Sequence, residues 1–208
     1  MSRAFRQWLG SDSVGADKGR YGDERAGVQE VEVKYRVLDV EVLAQALAAL
    51  GVSLSPAVRQ DDQAYAPVGW EYGQPKVNVP FARLRTQDGQ HLFTVKKPLD
   101  NEMACAECES EIVDREQMHA ALTSMGFYPT VRIVKARRTG VLNGLSLCLD
   151  EVEQVGVFLE VEQLVACGES GEAAQQRLDA FVQSLGVPLQ RITDTYDSLV
   201  RAALLPTA

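Results

Sequence analysis

Glu30-Val31-Glu32-Val33-Lys34-Tyr35 decides how this 208-residue chain is read. Successive side chains of a β-strand point to opposite faces, so Glu30, Glu32 and Lys34 share one face while Val31, Val33 and Tyr35 share the other. Alone, this is an ordinary amphipathic strand with its apolar side to a core and its charged side to water. Recurrence on later strands changes that reading, because a sheet curled with its charged faces inward encloses a polar cavity.

The pattern recurs. Arg83 and Arg85 alternate in Phe81–Arg85, and a turn at Asp88-Gly89 leads into His91–Pro98, a hairpin in which Lys96 shares its face with Thr94 and Pro98 closes the strand. Glu107, Glu109 and Glu111 alternate ahead of Ile112, and Lys135 and Arg137 share a face of 131–138. Gly140 to Gly144 reads as a turn into Leu145–Asp150, where three leucines oppose Asp150; Glu160 and Glu162 then alternate with Leu159 and Val161. Solvated sheet faces usually mix Thr, Ser, Gln and Lys. Pairs of like charge are costly to segregate unless a ligand or an ion neutralises them. Paired carboxylates offer hard oxygens to Mg²⁺ or Mn²⁺, and paired Arg and Lys offer donors to phosphate oxygens. A single cavity holding both suits a metal-bound polyphosphate. The chain has no Walker loop and no Rossmann fingerprint, so side chains would grip the phosphates.

Helices are expected between the strands. Asp39 caps one over about 40–50, with Val40, Leu43, Leu47 and Leu50 inward and Gly51 as stop. Asp114 with Gln117 opens a second, striped by Met118, Leu122 and Met125 and stopped by Gly126. The order strand, capped helix, glycine, strand thus recurs 75 to 79 residues later, an internal duplication in which Val113 stands where the first copy has Lys34. A third helix spans 170–185, with Leu178, Phe181, Val182 and Leu185 inward, and a last one starts near Thr195-Tyr196. Ala66–Pro80 lacks a regular pattern and reads as a candidate mobile loop over a site, with Trp70 and Tyr72 packing it down. Residues 1–27 read as a polar, Gly-rich tail in which Phe5, Trp8 and Leu9 could form one helical turn.

Composition bounds the function. A hydrophobic fraction of 46% and a charged fraction of 24% are those of a soluble globular protein. A net charge of −8 and a pI near 4.9 argue against a nucleic-acid-coating protein. Neither a membrane span nor a signal-peptide core is visible, so a soluble cytoplasmic protein is expected. Cys105-x-x-Cys108, Cys148 and Cys167, with only His91 and His119 to assist, read as reduced thiols in preference to a zinc site or redox pair.

In their order along the chain these segments resemble a known family. Glu30-x-Glu32-x-Lys34 is similar to the ExExK signature of the CYTH superfamily, the triphosphate tunnel metalloenzymes, which includes class IV adenylyl cyclases and thiamine and inorganic triphosphatases. Arg83-x-Arg85, Thr94-x-Lys96-x-Pro98, Lys135-x-Arg137, Asp150 and Phe158-Leu159-Glu160-Val161-Glu162 follow in the family's order. The resemblance runs from Gln29 to Leu205 and implies an α+β, mainly β fold over 28–205: a closed antiparallel eight-stranded β-barrel, its helices outside, whose lumen holds a triphosphate and Mg²⁺ or Mn²⁺. By the same implication Glu30, Glu32, Asp150, Glu160 and Glu162 would bind or support the metal, and Lys34, Arg83, Arg85, Lys96, Lys135 and Arg137 would hold the phosphates. Glu30, Glu32 and Lys34 would form the catalytic set.

Gln60-x-Asp62-x-x-Tyr65 and Thr195-Tyr196-x-x-Leu199 are similar to the class IV cyclase pattern, with departures at Ala66 (an aromatic in cyclases), Lys97 (a glycine) and Thr195 (a serine). The implied activity is conversion of ATP to cyclic AMP and pyrophosphate. A triphosphatase acting on inorganic, thiamine or nucleoside triphosphate stays open, as do a non-catalytic polyphosphate- or nucleotide-binding module and a homodimeric assembly. Nucleic acid and membrane are not expected partners.

Overall fold

The computed structural model describes residues 28–166 and 168–205; the sequence reading of 1–27, including Phe5, Trp8 and Leu9, and that of Cys167 fall outside the described residues. The strands are β1 (Val28–Val37), β2 (Val58–Pro67), β3 (Phe81–Gln87), β4 (Gln90–Asn101), β5 (Ala104–Ile112), β6 (Phe127–Leu142), β7 (Leu145–Val152), β8 (Gly156–Ala166) and β9 (Leu189–Ile192). The helices are α1 (Val40–Ala49), α2 (Arg115–Ser124), α3 (Gly171–Ser184) and α4 (Tyr196–Leu204). Strand order is β5-β4-β3-β2-β6-β7-β8-β1, and a pairing of β1 with β5 at Glu30–Cys105 and Val31–Ala104 closes eight antiparallel strands into a barrel. The short β9 pairs with the other half of β1, at Lys34–Val37.

The alternation in β1 sorts side chains between the two faces of this wall. Val31, Val33 and Tyr35 point outward and join Leu147, Leu149, Leu159 and Val161 in a core covered by Leu43 and Leu47 of α1 and Leu178 and Val182 of α3. A second outer core sets Tyr65, Ala82 and Leu84 under Leu122 of α2. Each fully buried leucine contributes about 1.5–3 kcal/mol relative to an exposed one. The third cluster lies inside, where Val131, Ile133, Val152 and Phe158 meet Tyr196 and Val200 of α4 and close one end of the lumen. Polar chemistry is thereby confined to the rest of the interior.

Local rules explain the helix ends. Asp39 accepts from the N–H groups of Glu41 and Val42, and Asp114 from that of Gln117. Gly51 and Gly126 follow the C-caps at φ +77 and +87, a conformation that costs a residue with a Cβ. The apolar faces are narrower than the spacing suggests, since Val40, Leu50 and Met125 remain exposed. Pro98 does not end its strand: it pairs with Cys105 inside β4, and the register shifts between Pro98 and Asn101. Gly140 likewise lies within β6, where a Cβ would stand 2.8 Å from Val52 Cγ1; the turn is Asn143-Gly144.

The expected duplication has a topological counterpart. β2-β3-β4 and β6-β7-β8 are two meanders joined by the β2–β6 pair. Each is completed by the strand that opens the other half, β5 beside β4 and β1 beside β8. Among the described residues no helix is long and apolar enough to cross a membrane.

Candidate active site

The strand register sets the electrostatics of the lumen. Lys34 lies across from Glu160, Arg85 from Asp62, Lys96 from Glu107 and Arg137 from Asp150, each an opposite-charge pair. Glu32 faces Glu162 instead. Like charges directly opposite are destabilising in a sheet, and the counter-charges nearest this pair, Lys34 to Glu32 and Arg137 to Glu162, each stand 3.6 Å away.

Around that position the acids converge. One carboxylate oxygen from each of Glu32, Glu160 and Glu162 lies within 4.8 Å of the others. Burial, then the Glu160 and Glu32 charges, raise Glu162 to about 7. Burial pushes Glu160 upward too, but Lys34, Arg137 and Lys135 outweigh it and hold that carboxyl at about 2. Lys34 Nζ is 3.2 Å from Glu160 and 3.6 Å from Glu32, and these partners raise its pKa although burial works the other way.

The remaining charges form distinct groups. Asp150 is fully buried and accepts from Lys135 Nζ at 2.9 Å and Arg137 Nε at 2.6 Å. Arg137 also pairs with Glu160 and, at 3.6 Å, with Glu162. Burial and the neighbouring Arg137 lower the pKa of Lys135. Glu30 sits with Lys96, 2.9 Å away, and burial followed by the Glu107 charge raises its pKa well above the usual range. Lys96 reaches Glu107 at 2.6 Å, while Arg83 contacts Thr94, Glu107 and Glu109. Arg85 gives Nε and Nη2 to the two oxygens of Asp62 at 2.7 Å each.

The expected residues therefore share one lumen but divide within it. Glu32, Glu160 and Glu162 come together as a hard-oxygen set; Glu30 stands with Lys96, and Asp150 with Lys135 and Arg137. Asp62, Thr94, Glu107, Glu109 and Tyr196 also face this interior and were not among the expected site residues. The alternation Glu107-x-Glu109 was a usable signal for two of them. Thr94 was legible as sharing the face of Lys96, and Asp62 and Tyr196 stood in the cyclase-like motifs, but their partners in the lumen emerge only from pairings between distant segments.

Outside the barrel, Lys76 of the 68–80 loop is buried and donates to Thr195 and Ser198 and contacts Glu102 and Asp197, tying that loop to α4. Trp70 packs the loop down as expected, edge-on to Tyr72 and Phe81. Cys105 and Cys108 are three apart on β5 and so face opposite ways; burial pushes the Cys105 thiol up to about 12. A groove of about 630 Å³ on the outer wall of β2 carries Arg59, Arg115 and Arg132, but Asp61, Asp88 and Glu116 offset them, and it is separated from the lumen by the sheet.

A closed eight-stranded wall lined by this charge pattern can be compared with known proteins. A family model described as the CYTH domain matches residues 28–196. The chain belongs to the CYTH domain family. This CYTH protein is similar to the adenylate cyclase CyaB of Aeromonas hydrophila, 24% identical over 177 residues that cover 84% of the chain and 90% of the relative. The PH1819 protein of Pyrococcus horikoshii OT3 matches its structure with a TM-score of 0.69 at 24% identity, covering 83% of this chain and 98% of that one. HpAC1 of Hippeastrum, which bears the name of an adenylyl cyclase and is described as having a dominant triphosphatase activity, matches with a TM-score of 0.56 at 19% identity over 86% of this chain and 98% of its own. The CYTH match ends at Tyr196, the residue that opens α4 and closes the lumen.

Proposed function

We propose that the lumen binds a triphosphate together with Mg²⁺ or Mn²⁺, and that the protein is a class IV-type adenylyl cyclase forming cyclic AMP and pyrophosphate from ATP. The observation that carries this reading is the Glu32–Glu162 juxtaposition, with Glu160 beside it, in an interior where the four other directly opposed pairs of charges are of opposite sign. Three convergent carboxylates fit a hard divalent cation. When bound, such an ion supplies charge neutralisation for the triphosphate and acidifies the attacking hydroxyl.

The chain's own side chains do the rest. Lys34, Lys96, Lys135, Arg83 and Arg137 offer charge-assisted donors to phosphate oxygens. Asp150, by holding Lys135 and Arg137, keeps two of those donors aimed before substrate arrives. Arg85, with Nε and Nη2 on Asp62, acts through its remaining nitrogen and its field. In this reading the ribose 3′-hydroxyl attacks the α-phosphorus in line and pyrophosphate leaves. The CyaB likeness supports the cyclase over other triphosphate chemistry. Hydrolysis of a triphosphate is the second reading, supported by the activity that HpAC1 is described as having.

The test is product identification after incubation with ATP and Mg²⁺ or Mn²⁺. Cyclic AMP and pyrophosphate are expected, and Glu32→Ala should lower turnover on the order of 100-fold or more while the chain still folds, as its circular dichroism would show. Orthophosphate release in place of cyclic AMP transfers the assignment to a triphosphatase. Unchanged ATP, or full activity in the alanine variant, overturns the metal-dependent site.

A further inference from the structure

α4 begins at Tyr196, whose ring lies 4.1 Å from Lys34 Nζ and 4.7 Å from Lys135 Nζ. One aromatic ring thus serves two buried ammonium groups, an arrangement that stabilises both charges and limits how far either can move. Phe158 meets the ring edge-on at 5.4 Å and fixes its tilt. A buried phenol ordinarily has a hydrogen-bond partner. The Tyr196 hydroxyl makes no hydrogen bond of ordinary geometry among the described residues, although the residue is only 9% exposed; the Asp150 carboxylate is close enough to perturb it but does not form a well-aligned bond. Asp150, which faces the same end of the lumen, already accepts from Lys135 and Arg137.

The missing partner has a definable chemistry. Ammonium groups are donors only, so neither Lys34 nor Lys135 can accept from the phenol. An anion drawn in by these two lysines arrives as an acceptor, within reach of the ring that touches both. We propose that Tyr196 is a substrate-binding residue whose hydroxyl donates to a phosphate oxygen of a triphosphate held by Lys34 and Lys135, its ring setting how deep that triphosphate enters. The inference rests on the triphosphate site proposed above and adds to it the helix that closes the lumen.

Inorganic tripolyphosphate is the probe, titrated calorimetrically into the full chain so that no turnover is required. Tyr196→Phe keeps the ring over both lysines and removes only the donor; its affinity should fall about tenfold with an unchanged thermal midpoint, the loss expected for one hydrogen bond to a charged group. Tyr196→Leu, which also removes the aromatic platform, should bind still more weakly. Binding by Tyr196→Phe within twofold of the natural chain overturns the hydroxyl contact while leaving the triphosphate site standing. Failure of the natural chain to bind tripolyphosphate at all overturns the triphosphate reading, and this inference falls with it.

Discussion

Arg85 is a buried cation whose charge is answered by one residue, Asp62, through two hydrogen bonds of 2.7 Å. Replacing Asp62 with Asn leaves the guanidinium buried and uncompensated, so unfolding free energy at pH 7 should fall by about 3–5 kcal/mol in urea titrations. The pair also has a pH signature. Burial raises the Asp62 pKa, but Arg85 outweighs it and holds the carboxyl well below the usual carboxylate range. Because the folded state binds this proton more weakly than the unfolded chain, the stabilisation is complete above about pH 4 and fades as pH falls below that. The gap between the natural chain and Asp62→Asn should therefore narrow in acid; a gap constant from pH 7 to pH 3 would refute the assignment. At this scale the sequence was only partly legible. Alternation sorted Arg83, Arg85, Lys96 and the glutamates onto one face, since period 2 is local. That Asp62 belongs to Arg85, or that Glu30 stands apart from Glu32 and Glu162, depends on strand register, which no local pattern encodes.

Among the elements, α4 is held from outside the barrel. Its N-cap residue, Thr195, makes no side-chain capping bond; instead Thr195 Oγ1 accepts from Lys76 Nζ at 2.7 Å, with Ser198 Oγ at 3.0 Å and Glu102 at 2.9 Å on the same ammonium. A cation at a helix N-terminus opposes the helix dipole, so these oxygens are what retain Lys76 there. Lys76→Met should cost about 1–2 kcal/mol, by removing a buried ammonium from half-buried hydroxyl and carboxylate partners, and should open the 68–80 segment to limited proteolysis. Cleavage at the natural rate would show that Lys76 does not hold the loop and that its other contacts, such as Trp70 on Phe81 and Tyr72 under Arg201, suffice. The length and turn residues of this stretch read as a mobile loop, and Trp70 as its anchor was visible in sequence. Lys76 was not, because its partners Thr195 and Ser198 lie about 120 residues away. The helices themselves were legible from Asp39, Asp114, Gly51 and Gly126, whose capping chemistry is local. Pro98 and Gly140 misled as strand breakers because the pairing geometry accommodates both within long strands.

Where two charges stand directly across from each other inside the barrel, four pairs are of opposite sign, and the one like-charge pair, Glu32 with Glu162, lies where function is proposed. Such a site should cost stability, and the cost should be measurable without any substrate. Burial and the neighbouring acids raise Glu162 to about 7 in the folded chain, against an unfolded value of about 4. The folded state therefore binds this proton more tightly, so stability declines as pH rises from about 4 through 7 and the full penalty applies above that. Glu162→Gln removes the charge while keeping the shape. In chelator, the variant should match the natural chain near pH 4 and exceed it at pH 8 by up to about 3 kcal/mol, in the manner of stability gained at the expense of function. Adding Mn²⁺ or Mg²⁺ should reverse the order, because an ion that binds only the folded state raises the thermal midpoint of the natural chain and finds a depleted set of ligands in the variant. Equal stability at pH 8 would mean that Glu32 and Glu162 are not held against each other. An equal metal-induced shift in both proteins would mean that the ion binds elsewhere, and the convergence of Glu32, Glu160 and Glu162 would then have no bearing on catalysis.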